Sequence, residues 1–225
     1  SRGLGDVYKR QTYAFNKKVD FYIAKPIAKM YTTAMPLPIE KRINNFFNNL
    51  SLVPTIVNDI LQLRVGDTLS DTWRLAINST IGLGGFFDPA SSICLNSHKE
   101  NFNLTLARWG WKNSNYFIMP FLGSSTIRSA VSIPVDLYTS VYPYLNNVTL
   151  RNGLYILNTV DDRAKLLSYE SLIKQAGGLD EYIFIKNAYM ESQNQAIIAN
   201  NMSINKYSRE NTLKYLRMYR EFNHQ

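Results

Sequence analysis

Between Arg74 and Asp88 the chain reads Arg-Leu-Ala-Ile-Asn-Ser-Thr-Ile-Gly-Leu-Gly-Gly-Phe-Phe-Asp. This is an amphipathic helical segment that runs into an apolar, glycine-rich bend and then restarts. Leu69, Trp73, Ala76 and Ile77 fall on one helical stripe, and Asp67 is placed to cap that helix. Gly82, Gly84 and Gly85 remove the side chains that would hold the backbone to one conformation. Asp88-Pro89 is a helix start, with a side-chain cap followed by proline at the first helical position. So apolar a bend is poor chemistry for a solvent-facing loop. It is expected to pack its backbone against protein or lipid.

Helical periodicity extends over most of the chain. Phe15, Val19, Tyr22 and Ile23 form a stripe, and Pro26 is expected to kink or end that helix. Pro36-Leu37-Pro38 breaks the chain. Ile39, Ile43, Phe46, Phe47 and Leu50 share a face of a second helix. Ser51 can cap a third, with apolar positions from Leu52 to Leu61 and Gly66 closing it. Phe102, Leu106 and Trp109 mark a short helix. Tyr116 to Leu122 reads either as a buried extended segment or as an irregular apolar one. Pro134 and Pro143 bracket a helix-like stretch after Ser125, and a further helix covers roughly residues 150–168. Gly177-Gly178 ends the next helix, and Asp180 caps one bearing Ile183, Phe184 and Tyr189. The expectation is a single all-α domain over residues 12–192 and a basic polar tail over 193–225, helical or partly disordered. Ser1 to Gln11 reads as a translated sequencing-adapter scar, not native sequence, so the lack of a lipid-bearing cysteine there is uninformative.

At 225 residues the chain can bury a sizeable core. Its longest uninterrupted apolar run, Tyr116 to Leu122, falls far short of the roughly 18 residues of a spanning helix. Amphipathic helices lying in a membrane remain open. A net charge of +8 suits anionic lipid surfaces and nucleic acids alike. The positive residues are scattered except for Lys206, Arg209, Lys214, Arg217 and Arg220, and no nucleic-acid-binding signature appears, so nucleic acid is not an expected partner. Cys94 is alone, which excludes an internal disulfide.

Catalysis finds little support. His98 beside Lys99 and Glu100 reads as a solvated loop residue, and His224 lies in the tail. No His, Cys or carboxylate set has metal-site spacing, so neither metal nor cofactor is expected. Gly82-Leu83-Gly84-Gly85 lacks the Lys and Ser/Thr of a phosphate loop. Ser124-Ser125 has no nucleophile-elbow frame. Asp161-Asp162, followed by Arg163, reads as a helix-surface ion pair.

More informative are polar residues set within apolar helices: Asn58, Asp59, Arg74, Asn78, Arg128 and Asp136. Each must be hydrogen-bonded, paired or wetted. They are either buried pairs and staples between helices or the lining of an aqueous path for a lipid headgroup. In the second case Arg74 and Arg128 are the natural phosphate partners. Trp109, Trp111 and Tyr116 either anchor at a membrane interface or pack in a core. The apolar stripes carry the same ambiguity, because periodicity cannot say what a stripe faces.

Several short elements, in order and at near-family spacing, resemble the MlaA/VacJ outer-membrane lipoproteins. Beside the stretch from Arg74 to Asp88 they are Phe15-Asn16, Asp20-x-Tyr22, Lys25-Pro26-x-Ala28, Asn45-Phe46-Phe47-x-Asn49-Leu50, Pro54 and Asn58-Asp59-x-Leu61-Gln62. Phe102, Thr105-Leu106, Trp109-Gly110, Pro120, Gly123-x-Ser125, Arg128 and Asp136 follow, then Ala164, Asp180-x-Tyr182 and Ala188-Tyr189. The chain departs from the family pattern at Asn103, Ala107, Asn113 and Asn115, where glycine is usual. Asn at 113 and 115 can keep left-handed turns, whereas Ala107 lacks that latitude.

The resemblance implies a ring-like helical bundle in the inner leaflet of the outer membrane, apolar outside and pierced by a hydrophilic channel, and lipid-anchored in the intact protein. It implies removal of misplaced phospholipid from the outer leaflet and transfer to a periplasmic lipid-carrier protein, in complex with a trimeric porin. Gly82, Gly84 and Gly85 are then the candidate gating elbow. The competing reading is a peripheral helical module that binds anionic membranes without moving lipid.

Overall fold

The computed structural model describes residues 2–170 and 180–201. The expected helix stop at Gly177-Gly178 and the basic residues from Lys206 to Arg220 lie outside them. Helix α1 (Arg2–Val19) passes into α2 (Lys25–Ala34) through a π-helical turn, Asp20–Ala24. Pro26 accounts for that turn. It has no N–H and its ring crowds the carbonyl four residues earlier. Widening the helix by one residue, with the Lys25 N–H donating to Asp20 O, relieves the crowding. The helix therefore continues through the proline. Residues 2–11 belong to α1, and Arg10 reaches Asp180 at 2.8 Å.

Helix α3 (Leu37–Leu61) follows the Pro36-Leu37-Pro38 break, with Met35 extended. It merges what the sequence divides into two helices. Ser51 is not a cap; its hydroxyl donates to Asn48 O at 2.7 Å. Pro54 sits inside the helix. Interior proline costs about 3 kcal/mol, but the face carrying Phe47, Leu52, Thr55, Asn58 and Asp59 is buried on both sides of Pro54, and packing outweighs the lost bond. The real break is at Leu63, which is left-handed (φ 58°). Gly66 consequently lies within α4 (Val65–Thr80), and Asp67 does not cap it but accepts from Arg64 Nε at 2.8 Å.

After the elbow, Asp88 caps the single turn α5 (Pro89–Ser92) by accepting from Ser91 N at 3.3 Å. Asn101 caps α6 (Phe102–Arg108). Tyr116 to Leu122 resolves into a strand followed by a turn: β1 (Tyr116–Met119) pairs antiparallel with β2 (Gly123–Thr126), Tyr116 opposite Thr126. Thr126 then caps α7 (Ile127–Thr139), which contains Pro134 instead of stopping at it. A 3₁₀ turn, Tyr142–Tyr144, precedes α8 (Val148–Leu167), capped by Asn147. Asp180 caps the helix over residues 181–201 (α9), accepting from Tyr182 N at 3.1 Å. The fold is all-α with one small hairpin. Among the described residues no helix is long and apolar enough to cross a membrane.

Helix α3 packs on α4, α2 on α8 and α6 on α7, while α3 also touches α6, α7 and α8. Apolar burial is confined to small clusters. One joins Ala28, Tyr31 and Ala164; another joins Tyr116, Ile118 and Tyr182. Asp161 is not a surface residue but fully buried, accepting from Tyr31 Oη at 3.0 Å and pairing with Lys165 at 2.7 Å. Arg163 turns away from it to Asp20 (2.6 and 2.8 Å) and Glu170 (2.6 Å).

The elbow is fixed, not slack. Gly84 N donates to Ser79 O at 3.0 Å, Gly85 N to Asn78 O at 2.8 Å and Phe87 N to Gly82 O at 3.0 Å. A Cβ at Gly82 would strike Asn78 O and lie 2.5 Å from Phe87 O; one at Gly85 (φ +96°) would lie 2.6 Å from Asn49 Cβ. Gly84 (φ +72°) instead faces open space. Gly84→Ala should therefore lose only the left-handed backbone penalty, about 1–2 kcal/mol. Gly82→Ala must displace backbone and should lose about 3 kcal/mol. Denaturant unfolding in mild detergent measures both, and equal losses would refute the crowding at Gly82.

Candidate functional site

The nine largest fully buried side chains among the described residues are all polar, Arg128, Asn58, Asp59, Asp71 and Asp161 among them. Large apolar side chains lie outside: Leu63 is 86% exposed, Phe121 74% and Trp73 64%. Helix α4 shows the inversion at one-turn resolution. Asp71, Arg74 and Asn78 form its buried face, and the stripe carrying Leu69 and Trp73 faces outward. A water-soluble helical core has the opposite arrangement.

Three hydrogen-bonded assemblies make this interior. In the first, Asn58 Nδ2 donates to Pro54 O (2.8 Å) while Asn58 Oδ1 accepts from Thr105 (2.7 Å). Gln62 donates to Glu100 and Thr105, both at 3.0 Å, and Arg64 pairs with Glu100 and with Asp67 (2.7 Å). Asn200 of α9 donates to Gln62 (3.1 Å) and Glu100 (2.7 Å), which ties the last described helix to α3. Burial raises the Glu100 pKa against the opposing pull of Gln62 and Arg64.

In the second, Arg74 grips Asp88 with bonds of 3.0 and 3.1 Å and also reaches Ser91 and Leu95 O. Asn78 donates to Asp88 (2.9 Å) and accepts from Ala90 N (3.1 Å). Burial alone would raise the Asp88 pKa, but the Ser91, Asn78 and Arg74 donors bring it below the usual range. A cavity of about 90 Å³ adjoins Arg74, Asn78 and Asp88. In the third, Arg128 donates to Asn103 (2.7 Å) and to the carbonyls of Trp111 and Lys112 (both 2.8 Å), and Asn103 continues to Gln193 (2.8 Å). A larger cavity, about 470 Å³, is lined by Arg128, Trp111, Lys112, Asn113, Asn115 and Gln193 with neighbouring residues.

The six polar candidates thus all sit inward but do not gather at one cavity. Five are buried; Asp136 is half-buried and accepts from Phe102 N at 2.7 Å at the start of α6. Both arginines spend donors on the protein itself, the pairing and stapling roles open from sequence. Trp109 (58% exposed) and Trp111 face outward, whereas Tyr116 is a core residue. Asn113 and Asn115 are not left-handed, and Ala107 lies in α6, where glycine's latitude is not needed.

Sequence reading missed His98, Asp71, Arg64, Glu100, Gln62 and Asn200. Asp71 had a signal, since it precedes Arg74 by three and Asn78 by seven, one helical face. His98 had none. It is not a solvated loop residue: its ring nitrogens lie 3.2 Å from Asp59 Oδ1 and 3.2 Å from Asp71 Oδ2. Burial pulls the His98 pKa down, but those carboxylates prevail and raise it, whereas burial pushes Asp71 up to about 7.

The family model described as MlaA lipoprotein matches residues 6–196. The chain belongs to the MlaA lipoprotein family. It is 30% identical over 190 residues to the intermembrane phospholipid transport system lipoprotein MlaA of Escherichia coli (strain K12), covering 82% of this chain and 74% of that protein. It is also 30% identical over 192 residues to an uncharacterized protein of Rickettsia prowazekii (strain Madrid E), covering 84% and 76%. A solved chain, from work on the structural basis for maintenance of bacterial outer membrane lipid asymmetry, matches with a TM-score of 0.72 at 26% identity. That match covers 84% of this chain and 96% of the solved one. The inverted surface is thus found on an MlaA scaffold.

Arg128→Lys keeps the charge at the third assembly but loses the planar fork. Each buried acceptor left without a donor should cost about 1–3 kcal/mol, read by denaturant unfolding in detergent. A loss below about 0.5 kcal/mol would mean that water replaces the missing bonds.

Proposed function

We propose that this chain is the outer-membrane component of a phospholipid-transport system that maintains lipid asymmetry, taking misplaced phospholipid from the outer leaflet and passing it to a periplasmic carrier. The observation that carries this reading is the inverted partition: oily side chains outside, charged and amide side chains inside, with no spanning helix among the described residues. Such a body is stable half-sunk in one leaflet, where hydrocarbon covers Trp73, Leu63 and Phe121 and the interior stays wet. The printed names of its relatives and the family match point the same way. A lipid anchor, position in the inner leaflet and a trimeric porin as partner belong to this proposal.

In this reading the headgroup crosses a polar passage while the acyl chains stay against apolar surface. The passage begins at the larger cavity, where exposed Lys112 stands beside Arg128 and four amide side chains. Asn58, Asp59, Arg74, Asn78 and Asp136 act mainly by keeping the helices around the passage apart and in register. The elbow at Gly82, Gly84 and Gly85 is the gate, moving as a hydrogen-bonded unit.

The competing reading, a peripheral module held by its charge, predicts binding that salt abolishes. The proposal predicts that the chain stays with membranes in high salt, co-purifies with phospholipid in mild detergent and brings a porin with it. Release by salt without bound lipid would favour the peripheral module. Gly84→Ala, which meets no neighbour, should slow phospholipid transfer between vesicles while leaving most of the protein folded. Undiminished transfer would remove the gate.

A further inference from the structure

Three titratable side chains that the sequence keeps apart converge in the interior. Asp59 comes from α3, Asp71 from α4, and His98 from the segment between α5 and α6. One ligand atom from each lies within 4.8 Å of the other two. Both carboxylates are fully buried, and the imidazole is only partly exposed. Asp59 Oδ2 and Asp71 Oδ1 find no hydrogen-bond donor among the described residues. An undersatisfied buried carboxylate is costly, and here two of them face the same point.

Among the described residues, the cations around the cluster also serve other carboxylates. Arg64 lies 3.7 Å from Asp59 Oδ1 but also serves Glu100 and Asp67. Arg74, the next cation along α4, grips Asp88. Among the described residues, the four carboxylates of Asp59, Asp67, Asp71 and Glu100 have Arg64 and His98 as their contacting cations, with Arg74 acting on Asp71 from farther off.

We propose that Asp59, Asp71 and His98 bind a divalent transition-metal ion of the zinc type through one imidazole nitrogen and two carboxylate oxygens. Metal–ligand bonds of about 2.0–2.2 Å put tetrahedral ligands roughly 3.4 Å apart. His98 nitrogens now face different aspartates, so binding turns one of them, with both carboxylates, toward the shared ion. A nitrogen donor with two oxygens selects zinc or a neighbouring first-row ion over calcium and magnesium, which prefer oxygen alone. The exposed edge of His98 leaves an entry path and room for a water as fourth ligand. The ion's role is structural: it rivets α3, α4 and the segment after the elbow. This inference does not rest on lipid transport, which needs only the inverted surface.

The test uses the full chain in mild detergent, stripped with a chelator and titrated with Zn²⁺. Calorimetry should find one site per chain, and the unfolding temperature should rise with Zn²⁺. Losing a ligand through His98→Gln or Asp71→Asn should weaken binding by about 100-fold or more, since even outer-shell changes cost 10–100-fold. His224→Gln and Cys94→Ser should leave binding intact. Should either ligand variant fail to fold, Co²⁺ in the unaltered protein decides. Intense visible bands of a four-coordinate ion support the site, and the weak spectrum of hydrated Co²⁺ overturns it. Absence of Zn²⁺ binding, affinity indifferent to both ligand variants, or loss on changing His224 or Cys94 would equally overturn it. In those cases His98 is simply an imidazolium shared by two aspartates.

Discussion

A charge taken out of water needs a partner taken out with it. That constraint organises this protein more than apolar burial does. The apolar clusters around Tyr31 and Tyr116 are small and lie far apart in the chain, and most large apolar side chains face outward. What fixes the arrangement of helices is directional. Arg74 holds Asp88, Arg128 holds Asn103, Tyr31 holds Asp161, and Gln62 with Glu100 holds Asn200. Each of these joins elements distant in sequence, and each fails if a helix slips by one residue. A greasy contact tolerates such a slip far better.

That explains why the elbow can be both glycine-rich and well defined. Gly82 and Gly85 are glycines because neighbouring backbone and Asn49 leave no room for a Cβ. Asn78 O accepts from Gly85 N while its side chain holds Asp88 and Ala90. One residue of α4 thus fixes both ends of the bend. Leu83, left-handed and outward, is the exception that gives the bend its apolar tip. Any motion here must carry α4 and α5 together.

The helices were legible because their caps and periods are local. Asp88 and Asp180 act as the helix-start residues that the sequence marks, although Ser51 and Asp67 do not, and the period around Leu154 and Leu157 places α8 within two residues. Local rules failed where burial decides. Pro26 reads as a kink or an end and Ser51 as a cap, yet a π-turn absorbs the proline and α3 runs unbroken through Ser51. The direction of the stripes was not legible, since Leu69 and Trp73 have the same spacing whether they face a core or lipid. His98 was invisible for a different reason: its partners lie 39 and 27 residues earlier on two other elements, and nothing in Ser97-His98-Lys99 marks it.

The arginines show how far residue chemistry alone carries a functional assignment. Guanidinium suits phosphate, so Arg74 and Arg128 were natural headgroup ligands. Yet the same fork suits carboxylates and paired carbonyls, and the protein supplies those partners itself at 2.7–3.1 Å. A headgroup would have to displace bonds already made, so neither arginine is a free anion receptor. Under the proposed transport role, this arrangement serves better than tight capture. A passage whose strongest donors are already engaged attracts a phosphate through the residual field of Lys112 and Arg128 but does not trap it. In the proposed function the buried charges set the width and dielectric of the path, and the lipid moves because none of them holds it.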